Sequence, residues 1–164
     1  MKSDWQSSAD ATPTPVKTQA ELRSIAIDLL SRRDHSCREL QQKLQQKGGD
    51  EADIAAVLDW CQQQNYQSDA RYCAMLIRSK VAKGYGPAVV SQAAREQGLD
   101  RELLQDTLAE LDIDWFALAL YQYQKKFAGK AIKDFQDKQK RMGFLQRRGF
   151  NAGQIQYAIQ HQDS

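Results

Sequence analysis

Three glycines, Gly48, Gly98 and Gly149, stand fifty and fifty-one residues apart in a chain of 164, and each has the same surroundings. Four positions before them lie Leu44, Ala94 and Leu145; two after lie Asp50, Asp100 and Asn151; six after lie Ile54, Leu104 and Ile155; ten after lie Leu58, Leu108 and Ile159. Apolar residues are common, so one matching offset means little, but agreement at four offsets in three copies is hard to obtain by chance. The chemistry of the pattern is that of a helix–helix junction. Glycine accepts the left-handed conformation that closes a helix, and Asp or Asn two residues on can cap the next. The chain is therefore expected to be all-α, built of tandem helical repeats that pack chiefly on their neighbours as an elongated, curved body with a long concave face.

Local signals fill in each repeat. Residues 1–17 mix Ser, Thr, Asp and Ala with Pro13 and Pro15 and carry no apolar periodicity, so they read as a disordered tail. In the first repeat, 18–67, Thr18 and Glu21 have capping-box spacing ahead of Leu22, Ile25, Ala26, Leu29 and Leu30. Ser36 and Glu39 repeat that spacing before Leu40 and Leu44, and Asp50 is expected to cap a helix bearing Ile54, Val57, Leu58 and Cys61. The second, 68–112, has Ser68 or Asp69 as a cap before Tyr72, Met75, Leu76 and Ser79. Pro87 then suits a first helical position before Val89, Val90, Ala93 and Ala94, and Asp100 caps Leu103, Leu104, Leu108 and Leu111. In the third, 113–164, Asp114 leads into Phe116, Ala119, Leu120, Tyr123 and Phe127, Met142 and Leu145 precede Gly149, and Asn151 leads into Ile155, Ala158 and Ile159. No stretch sustains strand alternation.

Several function classes fall away at this level. The chain has no GxGxxG, P-loop, HExxH or GxSxG motif, and Gly84-Tyr85-Gly86-Pro87 lacks the Lys-Ser/Thr that would make it a phosphate loop. Its carboxylates fall mainly where helix starts want acceptors, and Cys37, Cys61 and Cys73 form no CxxC pair and read as core residues. His35 and His161 share no metal-like spacing with them. The expectation is a non-enzymatic protein with no metal, no cofactor and no membrane span. Without an apolar leader, and with an odd cysteine number that suits a reducing compartment, it is expected to be cytoplasmic; without a long apolar heptad, monomeric.

Charge is unevenly placed. Residues 113–164 carry nine Lys and Arg against four Asp and Glu, while the remainder carries fourteen against seventeen. The cations are Lys125, Lys126, Lys130, Lys133, Lys138, Lys140, Arg141, Arg147 and Arg148, and they form the candidate partner- or nucleic-acid-binding set. Such a surface can meet phosphates or an acidic protein groove, or it can be a solvated helix face. The periodicity of Phe116, Tyr123 and Phe127 argues that these rings pack inward and leave the lysines exposed.

The chain resembles a known family. The residues that carry the likeness are Ala26 to Leu30 followed by Ser36-Cys37-Arg38-Glu39-Leu40 and Leu44, Tyr66-Gln67-Ser68-Asp69-Ala70-Arg71-Tyr72, Lys83-Gly84-Tyr85-Gly86-Pro87, Gln97-Gly98-Leu99-Asp100, and Arg147-Arg148-Gly149-Phe150. In this order and at this repeat length they are similar to the RecX regulatory proteins, over roughly residues 20–159. Ala94 departs from the pattern, standing where a leucine is more usual. The resemblance implies nine helices in three three-helix repeats and binding within the groove of a RecA filament on single-stranded DNA. It further implies inhibition of RecA's ATPase, strand exchange and coprotease activities, with direct DNA contact possible. The alternative from the residues is a stand-alone DNA-binding regulator, since three-helix units capped this way also occur in helix-turn-helix proteins.

Overall fold

The computed structural model describes residues 16–163, which contain nine helices and no strand. They are α1 (Gln19–Arg32), α2 (Cys37–Gln46), α3 (Glu51–Gln63), α4 (Asp69–Ala82), α5 (Pro87–Glu96), α6 (Arg101–Leu111), α7 (Trp115–Phe127), α8 (Phe135–Arg147) and α9 (Ala152–Gln160). No helix among the described residues is long and apolar enough to cross a membrane. Most of the expected tail lies outside the described residues. Lys17, assigned to that tail, is placed: its N–H donates to the Gly48 carbonyl at 3.3 Å and its ammonium lies 3.7 Å from Glu21.

The repeating glycine closes the middle helix of each triplet in the same way. Gly48, Gly98 and Gly149 have φ of +92°, +68° and +98°. Each donates its N–H to the carbonyl three residues back, and the next residue donates to the carbonyl five residues back, on Leu44, Ala94 and Leu145 respectively. This Schellman closure satisfies carbonyls that would otherwise be orphaned. The apolar residue four positions before the glycine thus does two things: its carbonyl accepts the closing bond and its side chain is buried. Ala94 keeps both roles with a methyl in place of a leucine side chain.

Helix starts follow the expectations less uniformly. Thr18, Ser36, Asp114 and Asn151 each accept from the N–H three residues on, and Ser68, not Asp69, caps α4. Asn151 and Gln154 form a reciprocal capping box. Asp50 and Asp100 occupy the N-cap positions of α3 and α6 but make no side-chain cap bond, so their contribution is limited to charge at the helix N-terminus.

By their contacts the helices divide into two units, one running to Gln67 and one from Ser68 onward. In the first, α1 and α2 pack on α3 around Leu22, Ala26, Leu40, Leu44, Ile54, Val57, Leu58 and Cys61. Burying each of the fully buried leucines there stabilises the unit by roughly 1.5–3 kcal/mol relative to leaving it exposed. The second unit contains two triplets. Its α4–α6 core is Tyr72, Cys73, Ile77, Val90, Ala94, Leu99 and Leu104; its α7–α9 core is Ala119, Tyr123, Leu145, Phe150, Ile155 and Ala158. On α4 the buried stripe runs through Cys73 and Ile77, while the expected Met75 and Leu76 are only partly covered.

The two triplets of the second unit are joined through backbone. The Gly86 N–H donates to the Arg148 carbonyl at 2.7 Å and the Ala88 N–H to the Gly149 carbonyl at 3.0 Å. A Cβ on Gly86 would come within 2.6 Å of the Gly149 carbonyl carbon, and one on Gly149 within 2.8 Å of the Val89 nitrogen. Only glycine permits this approach. The sequence turn Gly84-Tyr85-Gly86-Pro87, expected to be a helix stop and start, is also the clasp between triplets.

Candidate functional site

The nine candidate cations sit on two helices, the link between them and one helix cap. Lys125 and Lys126 end α7, where cations oppose the negative end of the helix dipole. Lys138, Lys140, Arg141 and Arg147 occupy α8, Arg148 caps it, and Lys130 and Lys133 lie on the α7–α8 link. Seven of the nine are exposed, Arg148 is half-buried, and Arg141 is 3% exposed. The structure therefore corrects Arg141, expected on the basic surface. Its guanidinium donates to the Tyr123 hydroxyl at 2.8 Å, to the Lys130 and Ala131 carbonyls at 2.7 and 3.2 Å, and to Asp137 at 3.3 Å. It also stacks 4.6 Å from the Phe127 ring centroid. Burial opposes its charge, but the bonds to Tyr123 and Asp137 outweigh that and hold its pKa above the ordinary arginine value. Arg141 fastens the α7–α8 link to the core, where no partner can reach it.

Asp137 completes that clasp. It accepts the Lys133 backbone N–H at 3.1 Å as well as Arg141, and these bonds hold its carboxyl below the usual carboxylate range, the backbone bond contributing most. Phe116 is a second correction. Expected in the core, it is 46% exposed and lies edge-on to Tyr157. Tyr123 is buried and Phe127 partly so, as their spacing suggested.

The remaining cations are not one continuous stripe. Lys130, Lys133 and Lys140 line a hollow of 360 Å³ that also contains Asp134 and Asp137, so acids are interleaved there. Lys138 stands at the rim of a larger hollow, 540 Å³, lined by Phe135, Met142, Phe150, Ile155 and Ile159. Arg147 lies beside Lys80 and Val89. Lys125, Lys126 and Arg148 gather around a smaller hollow that includes Lys83. Lys83 was missed by sequence reasoning, because the cations it meets in space lie far from it along the chain; the only sequence hint was its place beside the Gly84-Tyr85-Gly86 turn.

Groups that could carry chemistry are otherwise occupied. Cys61 and Cys73 are buried free thiols whose pKa values burial pushes up, the reverse of what a nucleophile needs. His35 is buried, donates through Nδ1 to the Arg33 carbonyl at 3.0 Å, and accepts at Nε2 from the Lys43 ammonium at 3.0 Å. That pairing fits the neutral ring, and burial, the largest cause, pulls its pKa below 6.5. Among the described residues no group of three or more His, Cys, Asp or Glu could hold a metal ion.

Comparisons with known proteins bear on most of the chain. Residues 18–61 match the family described as "RecX, first three-helix domain", residues 68–108 match the second such domain and residues 112–159 the third. The chain is 40% identical over 141 residues to "Regulatory protein RecX" of Vibrio parahaemolyticus, covering 86% of this chain and 91% of that relative. It is 36% identical over 138 residues to the protein of the same name from Pseudomonas entomophila, covering 84% and 89%. Among solved structures, that of RecX from Lactobacillus salivarius superposes with a TM-score of 0.77 at 19% identity, over 88% of this chain and 96% of that one. This last likeness speaks to the fold alone.

Proposed function

The chain belongs to the RecX family of regulatory proteins, and from that premise we propose that it restrains RecA recombinase filaments formed on single-stranded DNA. In this reading it works in the cytoplasm, binds in the filament groove, and lowers ATPase, strand exchange and coprotease activity without a catalytic step of its own. The observation that carries the reading is the match to all three family domains along one chain, at 40% identity to a relative named a regulatory protein.

The physical mechanism needs only differential binding. A filament protomer cycles between arrangements linked to its nucleotide, and a protein that binds one arrangement better holds it there by that difference in affinity. A tenfold preference corresponds to about 1.4 kcal/mol, within reach of a few charged contacts. Seven exposed cations on α7, α8 and their link supply such contacts toward an acidic or phosphate-bearing surface.

The test is the single-stranded-DNA-dependent ATPase rate of RecA with this protein titrated well below one per protomer. Inhibition at that ratio is expected. A triple charge reversal at Lys138, Lys140 and Arg147 should weaken it while leaving the helical spectrum native. Arg148 is kept out of that variant because it bonds the Lys83 carbonyl and would perturb the fold. Inhibition appearing only when enough protein is present to coat the DNA would instead favour a stand-alone DNA binder, and no inhibition by folded protein at any ratio refutes the proposal.

A further inference from the structure

The ends of three helices meet at one hollow of 230 Å³ in the second unit, lined by Lys83, Gln122, Lys125, Lys126, Phe144 and Arg148. Lys83 is the C-cap of α4, Arg148 the C-cap of α8, and Lys125 and Lys126 belong to the last turn of α7. Taken singly, each cation is explained by the negative end of its own helix. That does not explain why three helix ends deliver four cations to one place with no carboxylate lining it. None of the four forms an ion pair among the described residues.

Aromatic rings take the place that acids would usually hold. The Lys126 ammonium and the Arg148 guanidinium lie 5.6 and 5.5 Å from the Phe144 centroid, and Arg148 lies 5.2 Å from the Tyr85 centroid. Cation–π contacts position a charge without neutralising it. Arg148 is further fixed by its bond to the Lys83 carbonyl at 3.0 Å. At the same hollow stands Gln122, 8% exposed, whose carboxamide makes no hydrogen bond among the described residues. It is packed against Gly84, where a Cβ would overlap the amide. Gln122 lines the hollow, so its amide is available to donate to a ligand there.

Charge matching indicates what that is. A carboxylate or a phosphodiester brings a single negative charge to four cations. Two or three linked phosphates bring roughly three or four in a compact group rich in acceptor oxygens. With Phe144 already engaged by two cations, the recognition is of charge and oxygen, not of a base. We propose that this hollow binds an oligophosphate, either free pyrophosphate or tripolyphosphate or the phosphate tail of a nucleoside di- or triphosphate. Lys83, Lys125, Lys126 and Arg148 neutralise it and the Gln122 amide donates to one oxygen. Such a site stands independently of the RecA reading.

The experiment is titration calorimetry of the full chain with pyrophosphate, tripolyphosphate, ATP and a short oligothymidylate at low ionic strength. The expected result is saturable one-to-one binding of tripolyphosphate that weakens by at least about tenfold in the Lys83→Gln, Lys126→Gln double variant. A Lys138→Gln, Lys140→Gln variant removes the same net charge elsewhere and should change it less than about twofold. If the first variant loses its helical spectrum, the single variant Lys125→Gln, at an exposed residue of the same hollow, should show a smaller loss in the same direction. Equal affinity for ATP and tripolyphosphate assigns the site to the phosphates alone, and tighter ATP binding adds a nucleoside contact; both support the proposal. It is overturned if no phosphate compound binds saturably, if both double variants lose affinity equally, or if oligothymidylate binds through these residues while tripolyphosphate does not.

Discussion

Gly48 in the first unit and Gly149 in the second close the same turn, with nearly the same φ and the same pair of backbone bonds, yet they stand in different surroundings. A Cβ at Gly48 would meet nothing within 4 Å, whereas one at Gly149 would strike the Val89 backbone at 2.8 Å. The first turn is glycine for its conformation alone. The third is glycine for its conformation and because another backbone presses on it. A repeated local signal thus serves a local purpose in one region and a tertiary one in the other, and only the second joins two triplets into a single unit.

The largest expected effect tests that contrast. Gly48→Ala should cost about 1–2 kcal/mol, the penalty of a left-handed alanine. Gly149→Ala adds about 1–3 kcal/mol of overpacking against Val89, for a total of roughly 2–5 kcal/mol. Urea unfolding followed by fluorescence checks it, with Trp60 placed in the first unit and Trp115 in the second. Equal costs at the two glycines would break the comparison.

An effect of about 2–4 kcal/mol is expected for Arg141→Met, confined to the second unit, because the substitution removes one donor from the Tyr123 hydroxyl, from the Lys130 and Ala131 carbonyls and from Asp137. The same unfolding curves report it. A loss below about 0.5 kcal/mol, typical of a surface cation, would return Arg141 to the candidate binding set.

The smallest expected effect separates the units by pH. His35 is buried neutral with a lowered pKa, facing Arg33, Glu39 and Lys43, so the unfolded chain takes up its proton first as pH falls below 6.5. Its contribution is present above that value and is lost on acidification through its lower folded pKa. Asp137 has a depressed pKa, so its contribution is present at neutral pH and is lost only below the usual carboxylate range. Between about pH 7 and 5 the first unit should therefore weaken more than the second, and His35→Asn should flatten the difference. A first unit equally stable at both pH values would show that His35 does not carry it.

Most of the fold was legible because helix boundaries are written in short-range chemistry. A Schellman closure or an N-cap spans about six residues or fewer, so Gly48, Gly98, Gly149, Ser36 and Asn151 announce themselves. Even there the sequence overreached at Asp50 and Asp100, because side-chain capping depends on a rotamer as well as a residue type. The candidate site was legible only as a region of charge. Periodicity placed Tyr123 inward, but nothing along the chain distinguished Arg141 from Lys140, and the helical phase that buries one is set by the core it packs against.

What the sequence by itself determined is therefore the all-helical repeat, its turns and the basic bias of its last third, all of which rest on residues near one another in the chain. Only the tertiary structure decided which cations are bound inward and which face outward. It also decided that Lys83 shares a hollow with Arg148, 65 positions later, and that Gly86 clasps the Arg148-Gly149 backbone. Those facts depend on how separate helices pack, and side-chain burial is a property of that packing and not of any local stretch of chain.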